Sequence, residues 1–133
     1  MKTHLNLATT DLEKSVAFYS TLLNAQPTKL VSDYALFITD EPGLELALDV
    51  RESVTPAHDA HFGVYVESVA DVERAIERLE ARGLAESVER EDTCCYAKQT
   101  KVWASDPEGR RWEIYTVHED TDSGERSCCI AER

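Results

Sequence analysis

The sequence predicts an α+β fold made of two paired β-α-β-β-β modules. Three observations point to it. An alternating apolar/polar segment leading into a capped helical stripe occurs twice, once from His4 and again from His61. Each stripe is followed by three short strand patterns punctuated by turn residues. The two copies also have matching size, a unit of roughly 55 residues, as expected of an internal repeat. The competing interpretation is two unrelated α+β halves.

Module one covers about 3–50. Residues from His4 alternate (His-Leu-Asn-Leu-Ala), which predicts a strand. Thr10 and Glu13 stand at capping-box spacing, so Thr10 is expected to start a helix. Leu12, Val16, Tyr19 and Leu23 then recur at helical intervals. Strands are expected at 27–31, 34–39 and 44–50, with Glu41-Pro42-Gly43 as a turn. Residues 51–60 form a linker.

Module two covers about 61–117. His61-Phe62-Gly63-Val64-Tyr65-Val66 alternates, and Ser68 with Asp71 makes a second capping box. Val72, Ala75, Ile76 and Leu79 form the helical stripe, and Gly83 closes it. Strands are expected at 85–90, 94–104 and 111–117, with Asp106-Pro107-Glu108-Gly109 as a turn. Residues 1–118 are thus expected to form one domain. Residues 119–133 are polar and aperiodic and are expected to be a flexible acidic tail.

The chain has 133 residues and a formal charge of -12, from 14 basic and 26 acidic residues. That length suits one domain with a core that needs no disulfides. An acidic surface without a basic stripe argues against nucleic acid and against anionic membrane. No segment approaches the roughly 18 apolar residues of a membrane span. Met1-Lys2-Thr3-His4 has no secretory apolar core, so a cytoplasmic, reducing location is expected, with free thiols.

Strand alternation sorts polar residues onto one face. Leu5 and Leu7 oppose His4 and Asn6; Phe62, Val64 and Val66 oppose His61, Gly63 and Tyr65. Trp112 and Ile114 oppose Glu113 and Tyr115. The face away from the helices therefore carries His4, His61 and Glu113. Two imidazoles and a carboxylate suit a borderline divalent metal, and this is the set that holds Fe(II) with open positions. The bland interpretation is three surface residues at strand ends. Glu45, in the last strand of module one, is either a fourth ligand or a solvated or ligand-supporting carboxylate. His58 and His118 are expected to be exposed rather than ligating. Phe18, Tyr19, Trp103 and Trp112 are expected to pack.

All four cysteines are neighbours: Cys94-Cys95 and Cys128-Cys129. Adjacent cysteines are poor staples, because a bridge between them is strained and closes no loop. They are good pincers for one soft atom. The bland interpretation of Cys94-Cys95 is two small buried residues of a strand. Cys128-Cys129 is either an accessory capture site or part of an unselected flexible end.

These residues carry a family resemblance. The paired modules, with His opening each and Glu in the last strand, resemble the vicinal-oxygen-chelate (glyoxalase/bleomycin resistance/extradiol dioxygenase) superfamily. More narrowly, residues 11–20, Glu41-Pro-Gly-Leu44 and the segment from Thr93 through Cys94-Cys95-Tyr96-Ala97 to Trp103 resemble the organoarsenical carbon–arsenic lyases. The cadmium-induced proteins look similar. The resemblance covers about residues 3–118.

It implies a cytoplasmic non-heme iron dioxygenase-type lyase that confers arsenic resistance. His4, His61 and Glu113 would be the Fe(II) ligands, although some relatives use Gln at the first position. Cys94 and Cys95 would bind trivalent arsenic. The partners implied are a small trivalent arsenical, such as methylarsonous acid, and dioxygen. Two thiolates can replace the two exchangeable oxygens of such an arsenical, leaving the carbon–arsenic bond as its free arm. Tyr96 and Lys98 would then belong either to a closing loop or to an ordinary strand.

Two other functions remain open at this level. One is a thiol-based binder of soft metals or metalloids such as cadmium or arsenite. The other is a glyoxalase-like isomerase with Glu45 as fourth ligand, which needs a pocket of basic residues; no cluster of these stands out, though Arg110 and Arg111 are present. The preferred organic group, the physiological metal and the choice between monomer and homodimer are not set by the sequence.

Overall fold

A computed structural model describes residues 1–55, 59–94 and 97–120. Its element order is the expected β-α-β-β-β twice over. The strands are β1 (Thr3–Thr9), β2 (Lys29–Val31), β3 (Tyr34–Thr39), β4 (Leu44–Val50), β5 (His61–Tyr65), β6 (Ser87–Cys94), β7 (Ala97–Ser105) and β8 (Arg111–Asp120). The helices are α1 (Leu12–Leu23) and α2 (Val69–Ala81). One four-stranded sheet has the order β1-β4-β3-β2, the other β5-β8-β7-β6. Both sheets therefore set the first strand of a module beside its fourth. The repeat read in the sequence is a repeat of topology.

The chain divides into two compact units. The first is Met1–Phe62 with Ser105–Arg111; the second is Gly63–Ala104 with the residues from Trp112 onward. No described helix is long and apolar enough to cross a membrane.

In the first unit β1 and β4 run parallel, because α1 carries the chain back to the starting end before the later strands form. β4 pairs antiparallel with β3, and β3 with β2. α1 packs on β3 and β4. Its buried face is Ser15, Phe18, Tyr19, Leu22 and Leu23, wider than the predicted stripe, with Leu12 and Val16 half-buried. The expected cap is corrected by one residue. Asp11, not Thr10, caps the helix, its carboxylate accepting from the Lys14 amide at 3.0 Å. Thr10 is engaged elsewhere: its amide and hydroxyl both donate to Glu108 Oε2, at 2.7 and 2.9 Å.

In the second unit Ser68 caps α2 as expected, and Val72, Ala75, Ile76 and Leu79 are all buried. At the helix end Gly83 N–H donates to Glu80 and Leu84 N–H to Leu79, at 3.0 and 2.8 Å, a Schellman closure. Val64, Val102, Ala104, Trp112 and Ile114 are buried in the same unit. Trp103 is half-buried and donates its indole N–H to Glu89 at 3.0 Å, so both tryptophans pack. Strand ends moved in places. β6 runs on to Cys94, and β7 opens at Ala97 in register with it. β8 extends to Asp120, which places His118 in a strand rather than at the start of a tail.

The turn after β7 holds a buried polar network. Asp106, 4% exposed, accepts from the Glu108 and Arg110 amides at Oδ1, both at 2.9 Å. Its Oδ2 accepts from Tyr19 Oη at 2.5 Å and from the Arg110 guanidinium at 3.0 Å. Arg110 also donates to the Ala8 carbonyl at 2.8 Å. Gly109 turns the chain at φ 86, a left-handed value that a side chain resists.

A buried ion pair is weakly stabilising when whole and costly when broken. Asp106→Ala would leave Arg110 buried without its counter-ion, at a cost of about 3–5 kcal/mol. Tyr19→Phe, which removes one charge-assisted bond, should cost about 1.5–3 kcal/mol. Urea unfolding of both variants checks this order; an Asp106→Ala loss below the Tyr19→Phe loss would refute it. Glu108 gives a pH signature. Partial burial pushes its carboxyl up, but hydrogen bonds from the Thr10 amide, the Thr10 hydroxyl and the Thr9 hydroxyl, with the Arg110 charge, hold it below its ordinary value. A depressed carboxyl stabilises the fold above its unfolded value, near 4.5, and loses that contribution as pH falls through the folded value. Glu108→Gln should therefore be less stable than wild type at neutral pH and approach it in acid. Unfolding curves across that range check it, and a pH-independent gap would count against it.

Candidate functional site

The polar faces of the two sheets carry the residues singled out by alternation. On β1, His4 and Asn6 are exposed while Leu5 and Leu7 are half-buried. On β5, His61, Gly63 and Tyr65 are exposed, with Phe62 and Val64 inward. The parallel register of β1 and β4 sets His4 directly beside Glu45. His4 Nδ1 lies 3.2 Å from Glu45 Oε1, hydrogen-bond distance. The register with β3 sets the exposed Ile38 on the other side of Glu45. Glu45 therefore sits between an imidazole and an apolar side chain.

Glu113 differs from the expectation of an open polar face, being 9% exposed. Gly63 explains part of this. A Cβ there would meet Tyr115 Cε1 at 3.1 Å and Glu113 Cγ at 3.3 Å, so the side chains of β8 lie over bare backbone. Tyr65 and Tyr115 meet edge to face, centroids 5.7 Å apart. Lys101 Nζ stands 3.7 Å from Glu113 Oε1, close enough for charge attraction. Nothing in the sequence pattern singles out Lys101. Its position depends on the alignment of neighbouring strands.

Among the described residues, no group of three or more His, Cys, Asp or Glu side chains is gathered at metal-holding distance. His4 is paired with Glu45, and Glu113 stands near Lys101. As a donor set, two imidazoles that open first strands and a buried carboxylate on a fourth strand fit a borderline divalent metal. Of the thiols, Cys94 ends β6, while Cys95, Cys128 and Cys129 lie outside the described residues, as do Tyr96 and His58. Lys98 lies in β7, in register with Thr93.

A family model described as the glyoxalase/bleomycin resistance protein/dioxygenase superfamily matches residues 3–114. The chain belongs to this superfamily. Solved structures of similar fold include a glyoxalase/bleomycin resistance protein/dioxygenase from Alicyclobacillus acidocaldarius, with a TM-score of 0.70 at 17% identity over 90% of this chain and 92% of that one. The fosfomycin resistance protein FosX from Listeria monocytogenes gives 0.67 at 21% identity, over 86% and 90% of the two chains. Closer in sequence is a trivalent organoarsenical cleaving enzyme of Bacillus sp. (strain MD1), 41% identical over 97% of this chain and 83% of its own length. The cadmium-induced protein CadI of Mycobacterium bovis is 40% identical over 96% of this chain and 91% of its own. The superfamily's paired βαβββ architecture is the one described above.

Were Glu113 a metal ligand, as strand alternation predicts, Lys101 would oppose cation binding there. Lys101→Met is expected to tighten Co(II) binding on the order of three- to tenfold by removing a nearby positive charge. Calorimetric titration checks this, and weaker binding in the variant would contradict it.

Proposed function

We propose that this protein cleaves the carbon–arsenic bond of trivalent organoarsenicals, using Fe(II) and dioxygen, and so detoxifies them. The observation that carries the reading is similarity along nearly all of this chain to organoarsenical cleaving enzymes: 41% identity over 97% of the chain in one, 39% over 96% in another, from Thermomonospora curvata. The residue types support it. Cys94 and Cys95 would take the place of the two hydroxyls of an arsonous acid, releasing two waters and holding arsenic by two sulfurs. The third arm, the carbon–arsenic bond, would be left free and oriented. His4, His61 and Glu113 would hold Fe(II), which when bound supplies the reaction with dioxygen. For methylarsonous acid the overall change balances as one arsonous acid plus one dioxygen giving one arsenous acid plus one formaldehyde.

The similarity to cadmium-induced proteins favours a second reading, a thiol-based binder of soft metals or metalloids. That function needs the Cys94-Cys95 pair but neither the imidazoles nor dioxygen. The isomerase alternative is weakened by Arg110. Its guanidinium is buried against Asp106 and the Ala8 carbonyl, and so is not offered to an anionic co-substrate.

Protein purified without air and loaded with Fe(II) should release arsenite from methylarsonous acid only when oxygen is admitted. Cys94→Ser/Cys95→Ser and His61→Ala should each lower that release by at least about 100-fold, the scale of losing substrate positioning or a metal ligand. Arsenical capture with no arsenite from wild type would establish the binding protein instead.

A further inference from the structure

We infer that Glu45 is a positioning residue, which fixes the tautomer and orientation of His4 so that Nε2 is the nitrogen offered to the metal. The inference rests on the reading of His4 as a metal ligand and adds a residue to it. Three observations support it. The parallel β1–β4 register places the two side chains as direct neighbours, with no intervening turn to loosen them. The contact is made by Nδ1, at 3.2 Å from Oε1. On the β3 side Glu45 faces Ile38, 41% exposed, which offers no hydrogen bond.

A carboxylate accepts and cannot donate, so a neutral His4 meeting Glu45 carries its proton on Nδ1. Its lone pair is then on Nε2. The two nitrogens face away from different edges of the ring. A carboxylate held on Nδ1 is therefore kept from the metal that Nε2 would bind, so Glu45 supports a ligand instead of being one. Outer carboxylates of this kind raise ligand basicity and lock ring rotation. The side chains are 55% and 43% exposed, so the pair adds little to fold stability. Its effect is expected in metal binding and in the tautomer, while the melting temperature stays put.

The experiment uses the full chain, metal-free and then titrated with Co(II). In the metal-free protein, long-range ¹⁵N–¹H correlation spectra of the His4 ring read the tautomer, with His4→Gln identifying the signal. Wild type should show the Nδ1–H form and Glu45→Ala a mixture. Co(II) affinity should fall roughly 10- to 100-fold in Glu45→Ala, with the visible absorption bands of bound Co(II) unchanged in position and intensity. Glu45→Gln should restore most of the affinity, because its amide oxygen accepts the same proton. Unchanged affinity in Glu45→Ala would overturn the assignment. So would altered Co(II) bands that Glu45→Gln fails to restore, which would make Glu45 a ligand. Wild-type protein that binds no Co(II) at all would bring down the metal-site reading itself, and the role of Glu45 with it.

Discussion

The adjacency of first and fourth strands is the constraint on which the rest of this molecule depends. In the first unit a helix carries the chain back, so β1 and β4 lie parallel although some forty residues of sequence separate His4 from Glu45. In the other sheet β5 and β8 are neighbours in the same order. Side chains that open a module and side chains that close it thus share a face. Among the described residues, the imidazoles and carboxylates with a claim to chemistry lie on these four strands, with Lys101 on β7 and Cys94 at the end of β6. A slip of one residue in the β1–β4 register would turn His4 and Glu45 to opposite faces.

The second requirement is electrostatic. A fully buried carboxylate at Asp106 is tolerable only because four donors converge on it, one of them the hydroxyl of Tyr19 in the middle of α1. The neighbouring Glu108 fastens the residues just before α1 through Thr9 and Thr10. The loop Ser105–Arg111 is therefore counted with the first unit despite joining two strands of the second sheet. It also explains the shifted helix start. Thr10 has the right spacing to cap α1, but its hydroxyl is committed to Glu108, and Asp11 takes the capping role.

Membership of the glyoxalase/bleomycin resistance protein/dioxygenase superfamily fixes an architecture that hosts several chemistries. What narrows the choice for this chain is a combination of residue types. Paired thiols suit a thiophilic atom with two exchangeable bonds, while imidazole and carboxylate suit a metal that activates dioxygen. The proposed arsenical cleavage uses both sets at once. A purely sequestering protein would leave the imidazoles idle, and the buried, paired Arg110 is withdrawn as one of the two cations named for a glyoxalase-like isomerase.

The sequence alone determined the repeat, the element order, the stripe of α2 and the inward and outward faces of β1 and β5. These follow from period-two and period-3.6 patterning, which is local and survives without knowledge of contacts. His4 and His61 were legible because each opens a repeat, and the cysteine pair because adjacency in sequence needs no fold to see. Only the tertiary structure decided what depends on neighbouring strands: that Glu45 meets His4 Nδ1, that Lys101 stands by Glu113, and that Gly63 leaves room for Glu113 to sink from solvent. It also decided that Asp106, which reads as a turn residue, and Arg110, which reads as a candidate pocket cation, are a buried pair. The reason is physical: register and burial are set by packing against segments far apart in the chain, so even Asp106 and Arg110, four residues apart, do not show from their own stretch of sequence that they are buried.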